Sequence, residues 1–181
     1  MKIEVLYPEL CNLYGDAMNV EYLHRALPEA EIIKTTLKEN PAFYSAEPDL
    51  IYMGSMTEEG QSLAAEALIK YRDRIVDLIE AGTVFLVTGN AFELFGTRIE
   101  NEDGTFFGTL GVFDLFARRQ MLRRYNSIYL GKFGEIEIVG FKSQFAHSYS
   151  DKTTDLASQK PGSNYSDPPA LFNTLRGAGR I

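Results

Sequence analysis

The chain has 181 residues, 45% hydrophobic and 24% charged, with a formal net charge of −7. That length and balance fit one soluble globular domain with a sizeable core, and the acidity argues against a nucleic-acid partner. No apolar run approaches the roughly 20 residues that cross a bilayer, so no membrane partner is expected, and the single cysteine, Cys11, excludes an internal disulfide.

Lys2 to Tyr7 alternates apolar and polar residues and stops at Pro8, which predicts a first strand. Glu4 interrupts any apolar signal-peptide core there, and with the lone cysteine this points to the cytoplasm. Asp16, a helix N-cap rather than a catalytic acid on this reading, precedes Ala17, Val20, Leu23 and Leu27, which are spaced for one helix face. Pro28 closes that helix. Glu31 to Lys34 and Asp49 to Met53 suit two short strands, the second ending at Gly54. From Glu58 to Ala81 the pattern predicts one long helix, with Leu68, Tyr71, Ile75, Leu78 and Ile79 as its stripe and Gly82 as its stop. Thr83 to Val87 reads as a fourth strand, apolar enough to be parallel and covered on both faces.

Alternating strands and helices imply a three-layer α/β fold, a mainly parallel sheet flanked by helices. Ligands in such sheets sit beyond the carboxyl ends of the strands. Three loops are expected to meet there: Pro8 to Asp16, Gly54 to Glu58, and Gly89 to Ala91. The second half changes character. Asn101 to Gly104 is a hairpin-turn signal, and Val112 to Phe116, Ser127 to Leu130 and Glu135 to Phe141 read as extra antiparallel strands without helices between them. Residues 1–150 are thus expected to form one domain. Residues 151–181, rich in Ser, Thr, Asp, Pro and Gly, are expected to be an extended or partly disordered tail.

The stretch from Val84 to Gly96 ends an apolar run at Gly89-Asn90-Ala91 and continues into a short helix-like segment. A buried strand feeding such a sharp turn lifts one position above the sheet edge, where hydrolases and amidotransferases hold a nucleophile. Other segments fall in a matching order. They are Leu6 to Asp16 with Asn19, Ile51 to Met56 followed by Gln61, Leu110 to Asp114, and Gly140-Phe141. Together they resemble the CobB/CobQ-like, triad-type (class I) glutamine amidotransferases, particularly the small subunits that serve lipid II isoglutaminyl synthase. The resemblance implies a flavodoxin-like fold without a cofactor or metal, and a Mur-ligase-like synthetase as partner. It also implies a chemistry in which a cysteine thiolate attacks the carboxamide of glutamine and a histidine shuttles the proton.

Three departures accompany the resemblance. Gly89 stands at the cysteine position, and of the glycine-rich loop only Gly54 is kept, followed by Ser55 and Met56. The stretch Phe172 to Gly177 lacks the Tyr-Leu-His-Gly-like pattern that carries the histidine. The expectation is therefore an amidotransferase-like protein with no intact catalytic residue, acting as a binding or regulatory subunit. Two alternatives stand beside it: an active amidotransferase in which Cys11 substitutes as nucleophile, and a small-molecule binder using the same crevice.

Gly54, Ser55, Gly89, Asn90, Ala91 and Arg123 are the expected ligand-binding residues for glutamine or another small molecule. Arg123 enters because the family holds its substrate with an arginine near that position. Arg118, Arg119, Arg123 and Arg124 form the chain's basic cluster, either a solvated strand or a grip for carboxylates. Thr88 is the hydroxyl nearest the elbow, expected to point elsewhere. Asn12 and Tyr14 are pocket candidates or ordinary turn residues. His24 reads as a surface residue and His147 as an exposed or hydrogen-bonded loop histidine. Two histidines and one cysteine are too few for a usual zinc site.

Overall fold

A computed structural model describes residues 1–133 and 136–149. They fall into two compact units, Met1–Phe95 and a second that begins at Gly96, within the stretch read from the sequence as one domain. The tail expected over 151–181 lies outside the described residues.

The first unit runs β1 (Lys2–Leu6), α1 (Ala17–Ala26), β2 (Glu31–Thr35), β3 (Leu50–Met53), α2 (Glu58–Ile69), α3 (Arg72–Ala81) and β4 (Val84–Val87). All four strands are parallel, in the order β2-β1-β3-β4. That is the flavodoxin-like α/β arrangement anticipated above. The order steps one way from β1 to β2 and the other way from β3 to β4. Right-handed crossovers therefore put α1 on one face and α2 with α3 on the opposite face. Ile3, Val5, Leu50 and Tyr52 pack with Val20 and Leu23 of α1. Ile51, Met53, Phe85 and Val87 are buried on the other side of the sheet, as are Leu68, Ile75 and Leu78 of the helices.

Three details depart from the pattern-based reading. Glu4 does not mark a solvent face of β1: it is completely buried. Its carboxylate accepts from Thr35 Oγ1 at 2.7 Å, Ala42 N at 2.6 Å and Phe43 N at 2.8 Å, so the buried charge is hydrogen-bonded on both oxygens. The long helix is two helices, broken at Lys70-Tyr71. The Tyr71 ring meets Phe43 and Tyr44 edge-on and its hydroxyl donates to Asn40 Oδ1 at 2.7 Å, a tertiary anchor that residue periodicity does not encode. The stripe itself is buried as expected, and α3 ends at Gly82. Finally, β4 is an edge strand among the described residues. Phe85 and Val87 are buried, but Val84 is 55% exposed and Leu86 38%, so only one face is covered.

The second unit contains β5 (Arg98–Glu100), β6 (Phe106–Gly108), β7 (Phe116–Arg119), β8 (Tyr125–Phe133), β9 (Ile136–Gln144) and β10 (Ala146–Tyr149). One sheet has the order β10-β7-β5-β6, antiparallel except for the parallel β5–β7 pair. The hairpin signal at Asn101 to Gly104 does join β5 to β6, with Gly104 N donating to Asn101 O at 3.1 Å. The strand expected at Val112 to Phe116 begins only at Phe116. A local turn, Leu115 N to Phe113 O at 2.8 Å, occupies the preceding residues. The long strands β8 and β9 form a separate antiparallel pair.

Candidate functional site

β1 and β3 are neighbours whose crossovers leave in opposite directions, the topological switch point beyond which ligands sit in open α/β sheets. The loop after β1 starts at Tyr7, a buried residue with φ of 51°, in the left-handed region that side chains other than glycine seldom enter. Its carbonyl accepts from Leu10 N at 2.9 Å and Cys11 N at 3.0 Å, which holds the chain in that bend. Farther along, Leu13 N donates to Ser55 O at 3.1 Å, fastening this loop to the one after β3.

Asp16 is the centre of the arrangement, and in a role the sequence reading did not give it. It stands just before α1, but its side chain caps no helix N–H. The cap is supplied by Asn12, whose Oδ1 accepts from Ala17 N at 2.9 Å. The freed Asp16 carboxylate accepts from Ser55 Oγ at 2.6 Å, Thr88 Oγ1 at 2.9 Å and Tyr14 N at 3.4 Å. Tyr52 Oη lies 3.4 Å from the same carboxylate and receives Asn19 Nδ2 at 2.8 Å. One buried carboxylate thus ties together the loops that follow β1, β3 and β4. Burial pushes the pKa of Asp16 up, but the hydrogen bonds from Ser55, Thr88 and the Tyr14 N–H outweigh it, and the net result lies below the ordinary carboxylate value.

The chain leaving β4 makes a sharp turn at Gly89. Gly89 is exposed and adopts φ of 57° at the start of a 3-10 segment, Gly89–Phe95. A Cβ placed on Gly89 would lie 2.7 Å from Ser55 Cβ. Gly54 is equally confined: a Cβ there would lie 2.6 Å from Cys11 O and 2.7 Å from Asp16 Cβ. Asn90 turns back on the β3 loop, its Oδ1 accepting from Met56 N at 3.0 Å and its Nδ2 donating to Met56 O at 2.8 Å. Gln61 Nε2 donates to Asn90 O and to Glu93 Oε2, both at 2.8 Å, beneath the buried Ala91.

Gly54, Ser55, Gly89, Asn90 and Ala91 are therefore brought together as expected, with Asp16, Tyr52, Thr88 and Glu93 added to them. Thr88 does not point away; it hydrogen-bonds into the same network. Cys11 borders Gly54 by its backbone, but its side chain is buried. Burial pushes the thiol up to about 12, with Glu9 and Asp16 adding to the rise and a hydrogen bond from the Gly54 N–H opposing it.

The arginines belong to the second unit and do not share one environment. Arg118 pairs with Glu100 at 2.9 Å, while Arg119 is buried with its Nη1 3.1 Å from Asn101 Oδ1. Arg123 and Arg124 lie over the rings of Tyr125 and Phe145. His147 is not a loop residue: it is buried on β10, 2.9 Å from Gln144 Nε2 and edge-on to Tyr125. His24 is exposed on α1, as expected. Among the described residues no group of three or more His, Cys, Asp or Glu could hold a metal ion. No helix among them is long and apolar enough to cross a membrane.

Comparison with known proteins adds a relative. No family model matches the chain. It is 25% identical over 142 residues to the Staphylococcus aureus (strain N315) protein named lipid II isoglutaminyl synthase (glutamine-hydrolyzing) subunit GatD. The alignment covers 77% of this chain and 58% of the relative, so the chain spans less than two thirds of the relative's length. The likeness supports the glutamine amidotransferase resemblance carried by the motifs.

Proposed function

We propose that this glutamine amidotransferase-like chain is a CobB/CobQ-type subunit that hydrolyses no glutamine and serves instead as a binding or regulatory component of a cytoplasmic synthetase complex. The observation that carries the reading is Gly89. Covalent amide hydrolysis needs a nucleophilic atom at the apex of the elbow, with a base to activate it, and glycine supplies none. The nearby hydroxyls of Ser55 and Thr88 are committed to Asp16 as hydrogen-bond donors. A carboxylate held below its usual pKa is a weak base at neutral pH, so it draws no proton from either hydroxyl. Cys11 fares no better. A buried thiol with a pKa near 12 is almost wholly protonated, and the thiolate is the reactive form.

What remains at the crevice is backbone N–H groups, Asn90 and the Asp16 network, a surface able to bind glutamine or another small polar molecule without breaking it. The relative's name describes a subunit of a glutamine-hydrolysing synthase. By analogy, the partner of this chain is a Mur-ligase-like synthetase subunit. The test is an ammonia-release assay on the purified protein, alone and with the co-expressed synthetase. Ammonia at the buffer background together with a recoverable complex is the expected outcome. Release that is abolished by a glutamine-analogue alkylator would overturn the inactive-subunit reading, and a monomer that never co-purifies would remove the partner.

A further inference from the structure

We infer that Ser55 and Gly89 form a sterically coupled pair, in which the serine side chain claims the volume that any side chain at the elbow apex would need. Residue 55 therefore sets the cost of placing a side chain at the elbow apex. The inference rests on the elbow reading given under Proposed function and extends it from a missing atom to an occupied space.

The clash is at the root of both side chains. A Cβ on Gly89 would lie 2.7 Å from Ser55 Cβ and 3.6 Å from Ser55 Cα, whereas carbon atoms sit comfortably at about 3.5–4.0 Å. Rotating the serine moves Oγ but leaves Cβ where it is. Relief therefore requires backbone movement, and both backbones are held. Ser55 O accepts from Leu13 N, Ser55 Oγ is bound to Asp16, and Met56 is clamped through its N–H and C=O by Asn90. Gly54 has no room to retreat toward Cys11 and Asp16. On the opposite side, Thr88 N donates to Met53 O at 3.0 Å, which fixes the chain entering the apex. Replacing Ser55 by glycine removes the obstructing Cβ together with Oγ, which would lie 3.4 Å from the same added carbon.

A double-mutant cycle isolates this term. Gly89→Cys brings two costs, the strain of a side chain at positive φ and the collision with Ser55. Ser55→Gly brings the loss of its bond to Asp16 and the added backbone freedom of glycine, both of which also cancel around the cycle. Strain at position 89 and loss of that bond each appear on two edges of the cycle and cancel, so only the collision survives as coupling. We expect Gly89→Cys to lower the melting temperature by about 6 °C in the native background and by less than half of that in the Ser55→Gly background, measured against Ser55→Gly alone. Gly89→Ala should show the same coupling, because the collision is made by Cβ alone. If Gly89→Cys fails to fold, recovery of soluble protein on adding Ser55→Gly supports the pair, and failure to recover counts against it. Additive losses in the cycle overturn the inference. Ammonia release by the native protein would defeat the inactive-subunit reading while leaving this cycle unchanged, so the two claims fail separately.

Discussion

β3 and the β8–β9 pair use the same kinds of residue to opposite effect. Leu50, Ile51, Tyr52 and Met53 are all buried, because β3 lies inside a parallel sheet whose crossovers bring a helix to each face. β8 and β9 are joined antiparallel, and no helix accompanies them among the described residues of their unit. Ile128 faces Phe141 and Leu130 faces Val139 across that pair, yet Ile128 is 81% exposed and Phe141 71%. Connection type, more than hydrophobicity, decides what is covered. Here the β1–β2 and β3–β4 crossovers carry the covering helices with them.

Substitutions can test how deep that contrast runs. The largest effect is expected inside the parallel sheet, at Glu4. Glu4→Ala strands Thr35 Oγ1 and the N–H groups of Ala42 and Phe43, all of which now donate to the carboxylate. Leaving buried polar groups unpaired lowers unfolding free energy by about 3 kcal/mol, to be read from urea denaturation. A smaller loss, about 1.5 kcal/mol at neutral pH, is expected for Asp16→Asn, which weakens the ties among three loops. Its pH signature is specific. The folded pKa of Asp16 lies below its ordinary value of 3.8, so the stabilisation is present above that value and is lost as pH falls through the folded pKa. The stability gap between the native protein and Asp16→Asn should therefore narrow below about pH 4. A gap unchanged down to pH 2 would show that the carboxylate charge contributes nothing. Smallest of all is Phe141→Ser. An exposed side chain changes stability within about 0.5 kcal/mol, and a loss several times larger would mean that this face is covered in solution.

The sequence carried the first unit well where a single periodicity spoke for itself. Leu68, Ile75 and Leu78 fall on one helical face because the backbone repeat is fixed, and they are buried for that reason. The convergence of the three loops followed from strand–helix alternation alone. The role of Asp16 is not legible in sequence, because a residue before a helix looks the same whether it caps the helix or Asn12 does so in its place. The open face of β4 is hidden in sequence, because an apolar run does not reveal whether its strand is internal or at the edge. Nor could the Ser55–Gly89 collision be seen in sequence, since it depends on two loops 34 positions apart being brought within van der Waals contact.

The left-handed bend at Tyr7 has a thermodynamic consequence for whatever enters the crevice. Its carbonyl, the Leu13 N–H and the Asn12 side chain are each already engaged within the protein, so this rim is shaped before any guest arrives. A guest bound there would pay little for further ordering of the chain, which is the part of the association cost that preorganisation removes.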